Sequence, residues 1–379
     1  MNSNYRYTRA EIDLPALVVN FLKIKSYAPA SKIMAVIKAD AYGHGMLNIA
    51  QYLSAAQVAV DAFAVACVDE AVELRKKSID KAIVVLEGFS SKQELRAIFS
   101  YQLIPVINSL YQLELLTEEF TRMAESNSSL PLWLKFDTGM SRLGFQSEQL
   151  EQLKQQLHNL SSKINIIGLM SHFACADDPQ HIHINELQLS KFKQLINSFD
   201  FSDLNYSIAN SAAIINFPDS HFNWVRPGIM LYGINPLLEQ TGEDIDLAVV
   251  MTLKSKLIAI NNLKKGDCIG YGRDWCCPEN MPVGVVAIGY GDGYPRHAKS
   301  GTPVLLNGIK TQLIGRVSMD MISIDLRPFM NNNMVVNIGD SVVLWGKGLA
   351  VEEVANCSAT IAYELLCGIS KRVKYVYKK

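Results

Sequence analysis

Short apolar runs alternate with amphipathic stretches along the first two thirds of the chain. In stretches such as Val68–Lys77 and Ser109–Ala124, apolar residues recur every three or four positions, which predicts helices. The apolar runs are continuous, as is typical of parallel strands that are buried on both faces. Eight such runs are predicted as strands: Ile33–Ile37, Ala62–Ala66, Ala82–Leu86, Ile104–Ile107, Leu132–Phe136, Ile164–Met170, Asn205–Ala209 and Trp224–Arg226.

Eight strand–helix units within about 230 residues match the size of a (β/α)₈ barrel of the TIM type. The alternative is a doubly wound open sheet of the kind that binds dinucleotides. Such a sheet has a glycine-rich turn after its first strand, whereas the first strand here ends in Lys38-Ala39-Asp40. We therefore predict a barrel of the α/β class for this part of the chain.

The pattern changes after the polar segment Glu239–Asp246. Thr252–Ile260 alternates between apolar and polar residues, which predicts a strand, and Val351–Leu366 has the pattern of a helix. Further strands are predicted at Val283–Ile288, Val304–Leu306 and Val342–Trp345. We therefore predict two domains, an N-terminal TIM-like barrel over residues 1–238 and a mostly β C-terminal domain over residues 239–379.

Charge and composition limit the possible partners. The 379 residues carry 36 Lys and Arg against 37 Asp and Glu, a net charge of −1. This balance argues against binding to nucleic acid or to an anionic membrane surface. No apolar run approaches the ~18 residues that span a bilayer, and the first residues lack the apolar core of a signal peptide. We expect a cytoplasmic protein that acts on a small molecule.

Cysteine and histidine spacing predicts neither disulfides nor a metal site. The seven cysteines are odd in number and irregularly spaced, and Cys276 and Cys277 are adjacent, which is a poor geometry for a bridge. Reduced thiols are therefore expected. His181 and His183 would point apart on a strand or on a helix, so they do not form a metal site.

Several chemically distinctive residues follow the predicted strands, at the end where a barrel has its active site. Lys38 ends the first apolar run, and an amine at such a rigid position can act as a nucleophile or a base. Ser211 and Gly228, after the seventh and eighth strands, offer donors where barrels commonly bind phosphate. A lysine that faces a phosphate site across a barrel mouth suggests pyridoxal phosphate as cofactor.

Eight motifs resemble those of the alanine racemase family, in the same order and over nearly the whole chain. They are AVIKADAYGHG (35–45), KFDTGMSRLG (135–144), SHFACAD (171–177), WVRPGIMLYG (224–233), GYG (270–272), GYGDGYPR (289–296), GRVSMDM (315–321) and AYELLCGIS (362–370). The resemblance implies an isomerase that uses pyridoxal phosphate to convert L-alanine into D-alanine for cell-wall peptidoglycan. It also implies a homodimer whose active sites are shared between the two chains.

The resemblance implies two bases on opposite faces of the cofactor. Lys38 would bind the cofactor and act as one base, and Tyr271 would be the other, as proton removal on one face and return on the other requires. Arg226 would face the pyridine nitrogen and, because a guanidinium keeps its proton, would leave that nitrogen unprotonated. This arrangement disfavours transamination and leaves proton exchange. His172 is expected between Arg226 and Tyr271.

The resemblance also assigns binding residues around the cofactor. Arg142 would bind the substrate carboxylate and reach the phenolate oxygen of the cofactor, and the main chain of Met319 would bind the same carboxylate. Lys135 stands where some members have a carboxylated lysine that holds this arginine. The residues implied to bind the phosphate are Tyr42, Ser211, Gly228, Ile229 and Tyr363. Those implied to line the entrance are Tyr290, which also contacts substrate, Arg296 and Arg316.

Three alternatives remain open. A racemase of another small amino acid, such as serine, would share these residues, because specificity depends on how the pocket side chains pack. A barrel-type amino-acid decarboxylase would be expected to need an acidic partner at the pyridine nitrogen, where Arg226 stands. A non-catalytic carrier of pyridoxal phosphate would end after the barrel, whereas this chain continues with the segment that carries Tyr271 and Met319.

Overall fold

The computed structural model describes residues 5–56, 58, 60–122, 129–199 and 203–379. Its strands form two large sheets, one parallel and one mostly antiparallel, and one small hairpin. In chain order the strands are β1 (Arg9–Asp13), β2 (Lys32–Val36), β3 (Ala62–Val65), β4 (Ala82–Val85), β5 (Ile104–Ile107), β6 (Leu130–Lys135), β7 (Ile164–Met170), β8 (Asn205–Ser207), β9 (Trp224–Val225), β10 (Met251–Leu263), β11 (Cys268–Ile269), β12 (Trp275–Cys276), β13 (Met281–Val286), β14 (Pro303–Leu306), β15 (Ile309–Ile314), β16 (Ile322–Asp325), β17 (Ser341–Trp345) and β18 (Lys374–Lys378).

The helices lie mainly between the strands of the parallel sheet. They are α1 (Leu14–Tyr27), α2 (Lys38–Gly43), α3 (Met46–Ala55), α4 (Val68–Lys76), α5 (Lys92–Ser100), α6 (Leu110–Arg122), α7 (Leu150–Leu160), α8 (Ile182–Ser198), α9 (Ser211–Asn216), α10 (Arg327–Asn331), α11 (Val351–Cys357) and α12 (Ala362–Cys367). Among the described residues, none of these helices has both the length and the apolar character that crossing a bilayer requires.

Strands β2 to β9 form the predicted barrel. They are parallel, in the order β8-β7-β6-β5-β4-β3-β2-β9. The ring closes where the Arg226 N–H donates to the Ala209 carbonyl at 3.0 Å, so the strand ends after β8 and β9 are joined. The barrel is therefore confirmed over the open sheet, and each of the eight predicted strands is present. The helix predicted to run to residue 124 is described as far as Arg122, and residues 123 and 124 lie outside the described residues.

The C-terminal half is the predicted β-rich domain. Strands β13, β16, β15, β14, β17 and β10 form an antiparallel sheet in this order, and β10 pairs back to β13. With 13 residues, β10 is long enough to contact three neighbouring strands, because one end pairs with β13 and the other with β17 and β1. The segment predicted as one helix at Val351–Leu366 forms two helices, α11 and α12.

One strand from the start of the chain lies in the C-terminal sheet. β1 falls within the segment that the sequence assigned to the barrel, yet it pairs antiparallel with β10 and parallel with β18. One partner, β10, lies in the second half of the chain and the other, β18, in its last residues, so no local pattern marks the pairing. Asp13 ends this strand and caps α1 by accepting the Ala16 N–H at 3.3 Å, and α1 leads into the barrel.

The expectation that all cysteines are reduced is wrong for one pair. Cys268 and Cys276 form a disulfide. They are direct cross-strand partners in the β11–β12 hairpin, whose register places their side chains side by side. No pattern in the sequence marks this register, because each of the two strands has only two residues. The other five cysteines are free thiols.

Candidate active site

The carboxyl ends of the barrel strands bring together the residues singled out from the sequence. Lys38 is half-buried two residues beyond β2, and Lys135 is the last residue of β6. His172 comes two residues after β7, and Arg226 follows β9 directly. Because the strands are parallel, these ends meet at one mouth of the barrel. The sequence-predicted residues of the barrel therefore share one site.

A left-handed turn follows Lys38. The residues from Ala39 to Tyr42 all have φ between 52° and 54°. None is glycine, so this conformation costs roughly 1–2 kcal/mol per residue. Two carboxylates stabilise it: Glu70 accepts the Ala39 N–H at 2.7 Å, and Asp40 accepts the N–H of the first residue of α3, also at 2.7 Å. The turn positions the Tyr42 side chain beside the strand ends.

Arg226 determines which ring nitrogen of His172 carries the proton. The guanidinium is almost fully buried, and Nη1 donates to Ser207 Oγ at 2.6 Å. Nη2 donates to the Ser171 carbonyl at 2.5 Å and to Nδ1 of His172 at 3.0 Å. Since a guanidinium has no acceptor, Nδ1 must accept, and the imidazole proton lies on Nε2. Burial, and then the charge of Arg226, hold the pKa of His172 well below its usual range, so the ring is neutral.

The barrel mouth carries excess positive charge. The pKa of Lys135 is lowered to about 8 by its burial and by the charges of three neighbours, which are Arg226, Arg142 and Lys38. Burial also lowers the pKa of Arg226 to about 9. The carboxylate of Asp137 acts on Lys135 in the opposite sense, but its Oδ1 already accepts the N–H groups of residues 139–141. An anionic ligand would relieve this repulsion.

The residues predicted to bind phosphate lie together beside β8 and β9. Ser211 Oγ accepts the Gly228 N–H at 2.9 Å, and a Cβ on Gly228 would lie 2.3 Å from Tyr42 Oη. The Tyr42 ring packs against that of Tyr363 on α12, with centroids 6.0 Å apart, and Ile229 is buried next in the chain. Burial raises the pKa of both tyrosines, so their hydroxyl groups keep their protons and can donate. The C-terminal domain thus adds one residue to the barrel mouth of its own chain.

The remaining predicted residues form a second group on loops of the C-terminal sheet. Tyr271 lies in the turn of the β11–β12 hairpin and is 69 % exposed, and Met319 is 52 % exposed. Arg316 forms an ion pair with Asp274 of the same hairpin. Tyr290 and Arg296 are also exposed. Among the described residues, no hydrogen bond, ion pair or ring contact joins any of these side chains to Lys38. The side chains are Tyr271, Tyr290, Arg296, Arg316 and Met319.

Comparisons with known proteins point to one family for both halves of the chain. Residues 12–236 match the family model described as alanine racemase, N-terminal domain. Residues 250–377 match the model described as alanine racemase, C-terminal domain. The chain belongs to the alanine racemase family.

Alanine racemases resemble this chain over their whole length. A protein of Nitrosococcus oceani with that name is 46 % identical over 367 residues, which are 97 % of this chain and 98 % of the relative. The biosynthetic alanine racemase from Pseudomonas aeruginosa has a TM-score of 0.91 at 38 % identity and covers 99 % of this chain and 100 % of its own. An alanine racemase from Bartonella henselae was solved with covalently bound pyridoxal phosphate. It has a TM-score of 0.87 at 30 % identity, and the match covers 98 % of this chain and 99 % of the relative.

The motifs shared with alanine racemases did not reveal the residues that hold the site in shape. Ser171 begins one of the motifs, but its role was not apparent there, because its main-chain carbonyl accepts from Arg226. Ser207 lies outside the motifs and accepts from Arg226 through its hydroxyl group, and its position at the end of β8 was the available signal. Glu70 lies on α4, and its contact with the turn after Lys38 spans 31 positions of the chain. No pattern along the sequence marks such a contact, because it depends on how neighbouring strand–helix units pack.

Proposed function

We propose that this chain racemises alanine with pyridoxal phosphate, supplying D-alanine for cell-wall peptidoglycan, and that it works in the cytoplasm as a homodimer. The observation that carries the proposal is the placement of Lys38 at a strand end that shares the barrel mouth with Arg226 and the Ser211–Gly228 pair. Membership of the alanine racemase family supports the reaction. The bound cofactor named for the Bartonella henselae relative supports pyridoxal phosphate.

The side chains at the barrel mouth fit this cofactor. The Lys38 amine can bind an aldehyde covalently, and the hydroxyl groups of Tyr42, Ser211 and Tyr363 are suited to a phosphate. The surplus cations suit its negative charges. When bound, pyridoxal phosphate withdraws electrons from the amino acid and makes its α-proton acidic. The residues present therefore match what the cofactor needs.

In this proposal the chain's own residues move the proton. Lys38 removes or returns it on one face of the substrate, and Tyr271 does so on the other. His172 has its Nδ1 engaged by Arg226, so only its Nε2–H is free to donate toward the tyrosine oxygen. Arg226 offers only donors, which keeps a ring nitrogen opposite it unprotonated and limits the reaction to proton exchange. A decarboxylase is less well supported for the same reason.

The exposed group on the C-terminal loops supports the homodimer. Tyr271, Tyr290 and Met319 are exposed in the single chain, and no contact described above links them to Lys38. In an isologous dimer, the same surface of each chain faces the other. We therefore infer that Tyr271 of one chain completes the site around Lys38 of the other, with Met319 and Arg142 on the substrate carboxylate and Arg296 and Arg316 at the entrance.

Lys135 is proposed as a carboxylated lysine. A pKa of about 8 leaves a useful fraction of neutral amine at physiological pH. That amine can add carbon dioxide and release one proton, which gives a carbamate. The product would replace one cation of the mouth by an anion beside Arg142. Carbon-13 NMR of the protein equilibrated with labelled bicarbonate should show a carbamate signal that is missing in Lys135→Met.

A coupled assay for D-alanine formed from L-alanine tests the proposed reaction. The purified protein with pyridoxal phosphate should form D-alanine, and Lys38→Ala should lose both the activity and the covalently bound cofactor. D-serine formed from L-serine at an equal or higher kcat/KM would favour the serine alternative, and released carbon dioxide would favour the decarboxylase. A protein that binds the cofactor but converts neither amino acid would contradict the proposal.

Subunit mixing tests the shared site. Lys38→Ala and Tyr271→Phe chains should each have very low activity alone. After random exchange, half of the dimers are mixed, and half of their sites carry neither lesion, so activity should recover to about a quarter of the wild-type value. A mixture that stays inactive after verified exchange would contradict the shared site but leave the reaction open.

A further inference from the structure

An ionic network joins four segments of the chain beside Tyr290. Asp292, which ends the short turn that begins with Tyr290, is fully buried. Its Oδ1 accepts from Arg6 Nε at 2.8 Å and lies 3.5 Å from Arg372 Nε. Arg372 also forms an ion pair and hydrogen bond with Asp320. One guanidinium thus links a buried carboxylate on one segment to an exposed carboxylate on another.

The two segments that Arg372 joins carry Tyr290 and Met319. Their main chains are in direct contact, since the Tyr290 N–H donates to the Ser318 carbonyl at 3.0 Å and the Gly291 N–H to the Met319 carbonyl at 2.9 Å. The guanidinium crosses over this junction, because a Cβ on Gly291 would lie 2.3 Å from Arg372 Nη1. Arg372 therefore packs on the place where the two segments meet.

Besides the two hydrogen bonds donated by Tyr290 and Gly291, the turn that carries Met319 has one main-chain hydrogen bond of its own. The Ser318 N–H closes it by donating to the Met321 carbonyl at 3.0 Å. Within the described ranges of the chain, the Met319 N–H donates to no acceptor, and Arg372 is the only cation paired with Asp320. An unpaired N–H at an exposed turn is available to bind an anion, and its direction depends on how firmly the turn is held.

We propose that Arg372 is a positioning residue that directs the Met319 N–H toward the substrate carboxylate. This inference rests on the proposed function, in which the Met319 main chain binds that carboxylate. Arg372 holds the turn through Asp320 and neutralises the charge of Asp320. Without the guanidinium, the turn would be held less firmly, and an unpaired carboxylate next in the chain to Met319 would repel the carboxylate of the substrate. Both effects weaken substrate binding and leave the two bases in place.

Arg6 offers a matched control for Arg372. Both guanidinium groups pair with the same buried carboxylate of Asp292, but in the described residues only Arg372 reaches Asp320. Arg6→Met and Arg372→Met therefore remove one cation each from Asp292, and either variant is expected to lower the melting temperature. Only Arg372→Met also releases the turn that carries Met319.

Steady-state kinetics of the holoenzyme separate the two roles. Arg372→Met should raise KM for L-alanine about three- to tenfold, the size of an exposed ion pair with its hydrogen bond, and change kcat less than about twofold. Arg6→Met should leave KM unchanged. Arg372→Lys should restore part of the binding, because it keeps the charge. Adding Asp320→Asn to Arg372→Met should also lower KM again, because it removes the repelling carboxylate.

Amide hydrogen exchange gives a second readout that needs no activity. The N–H groups of Ser318, Tyr290 and Gly291 make the main-chain hydrogen bonds of the turn, so their exchange should be faster in Arg372→Met than in wild type, and unchanged in Arg6→Met. The proposal is overturned if both variants raise KM equally, if Arg372→Met lowers kcat alone, or if exchange does not change. Should Arg372→Met fail to fold, Asp320→Asn alone tests the same pair and should raise KM and speed exchange. A wild-type protein without racemase activity would refute the proposed function, whereas exchange would still report on the turn.

Discussion

A methyl group on Gly228 tests how closely the residues that we propose to bind phosphate are packed. A Cβ at this position would lie 2.3 Å from Tyr42 Oη and 3.0 Å from Tyr42 Cζ. Ordinary contacts are near 3.5 Å, so the Tyr42 hydroxyl would have to move by about 1 Å. The ring has little room to do so, because it packs against Tyr232 with centroids 5.1 Å apart and against Tyr363 at 6.0 Å.

The expected cost of Gly228→Ala follows from this geometry. Overpacking of this kind typically destabilises a protein by about 1–3 kcal/mol. We propose that the Tyr42 hydroxyl binds the phosphate, so its displacement should also raise the Kd for pyridoxal phosphate at least about tenfold, the effect of one charge-assisted hydrogen bond. Urea unfolding of the apoprotein measures the first quantity, and absorbance titration with the cofactor measures the second.

Tyr42→Phe supplies the control, because it removes the atom that the methyl group would strike. In the Tyr42→Phe background, Gly228→Ala should lose most of its destabilising effect, so the two changes are not additive. If Gly228→Ala destabilises both backgrounds equally, Tyr42 does not contact Gly228 as described. If it destabilises neither, the backbone at Gly228 is free to shift and the close packing argument fails.

Two further predictions concern stability. Burial alone would raise the pKa of Glu11, but its hydrogen bonds to Lys378 and Lys254 outweigh burial and lower the pKa from 4.5 to about 2. This pairing should therefore stabilise the fold by about 3 kcal/mol above pH 4.5, and the stabilisation should be lost as pH falls toward 2. The free energies of urea unfolding of wild type and Glu11→Gln should differ most above pH 5 and converge in acid, and a difference that does not change with pH would contradict the assignment. The Cys268–Cys276 disulfide closes a short loop, so replacing both cysteines by serine should reduce local stability by about 2 kcal/mol. Amide exchange over residues 268–276 should be faster in the variant, and a reductant should speed this exchange in wild type but not in the variant. If neither the substitution nor the reductant changes the exchange, the disulfide does not stabilise the hairpin.

The barrel strands could be predicted from the sequence because buried parallel strands are continuous apolar runs. β1 could not be assigned, because its partners β10 and β18 lie far along the chain and its five residues carry no distinctive pattern. The two-residue strands β11 and β12 are too short for any periodicity, so the Cys268–Cys276 pairing depended on a register that only the fold reveals. Short strands and distant pairings are the parts of this fold that local patterns leave open.

In the candidate site too, some features could be predicted from the sequence and others could not. Lys38 was recognisable because it ends an apolar run at a strand end, whereas the role of Arg226 was implied by the resemblance to the alanine racemase family. The left-handed turn after Lys38 was not, because four consecutive residues without glycine give no sign of positive φ, and the Glu70 contact that supports it comes from another helix. Arg372 was also missed, because its proposed role depends on ion pairs with two carboxylates, Asp292 and Asp320, that the fold brings to it from separate loops. Reactive residues at strand ends can be found from the local sequence, whereas the residues that hold them in position come from distant parts of the chain.

Solvent deuterium exchange during turnover tests whether this chain racemises alanine by exchanging its α-proton. The holoenzyme is incubated with L-alanine in D₂O, and both enantiomers are followed by proton NMR and chiral chromatography. We expect D-alanine to accumulate with deuterium at its α-carbon, and we expect Lys38→Ala to abolish this product. Tyr271→Phe should block α-proton removal from L-alanine more than from D-alanine, because Lys38 still serves the other face. Formation of no D-alanine by a wild-type protein that binds pyridoxal phosphate, with pyruvate or carbon dioxide produced instead, would contradict the proposed function.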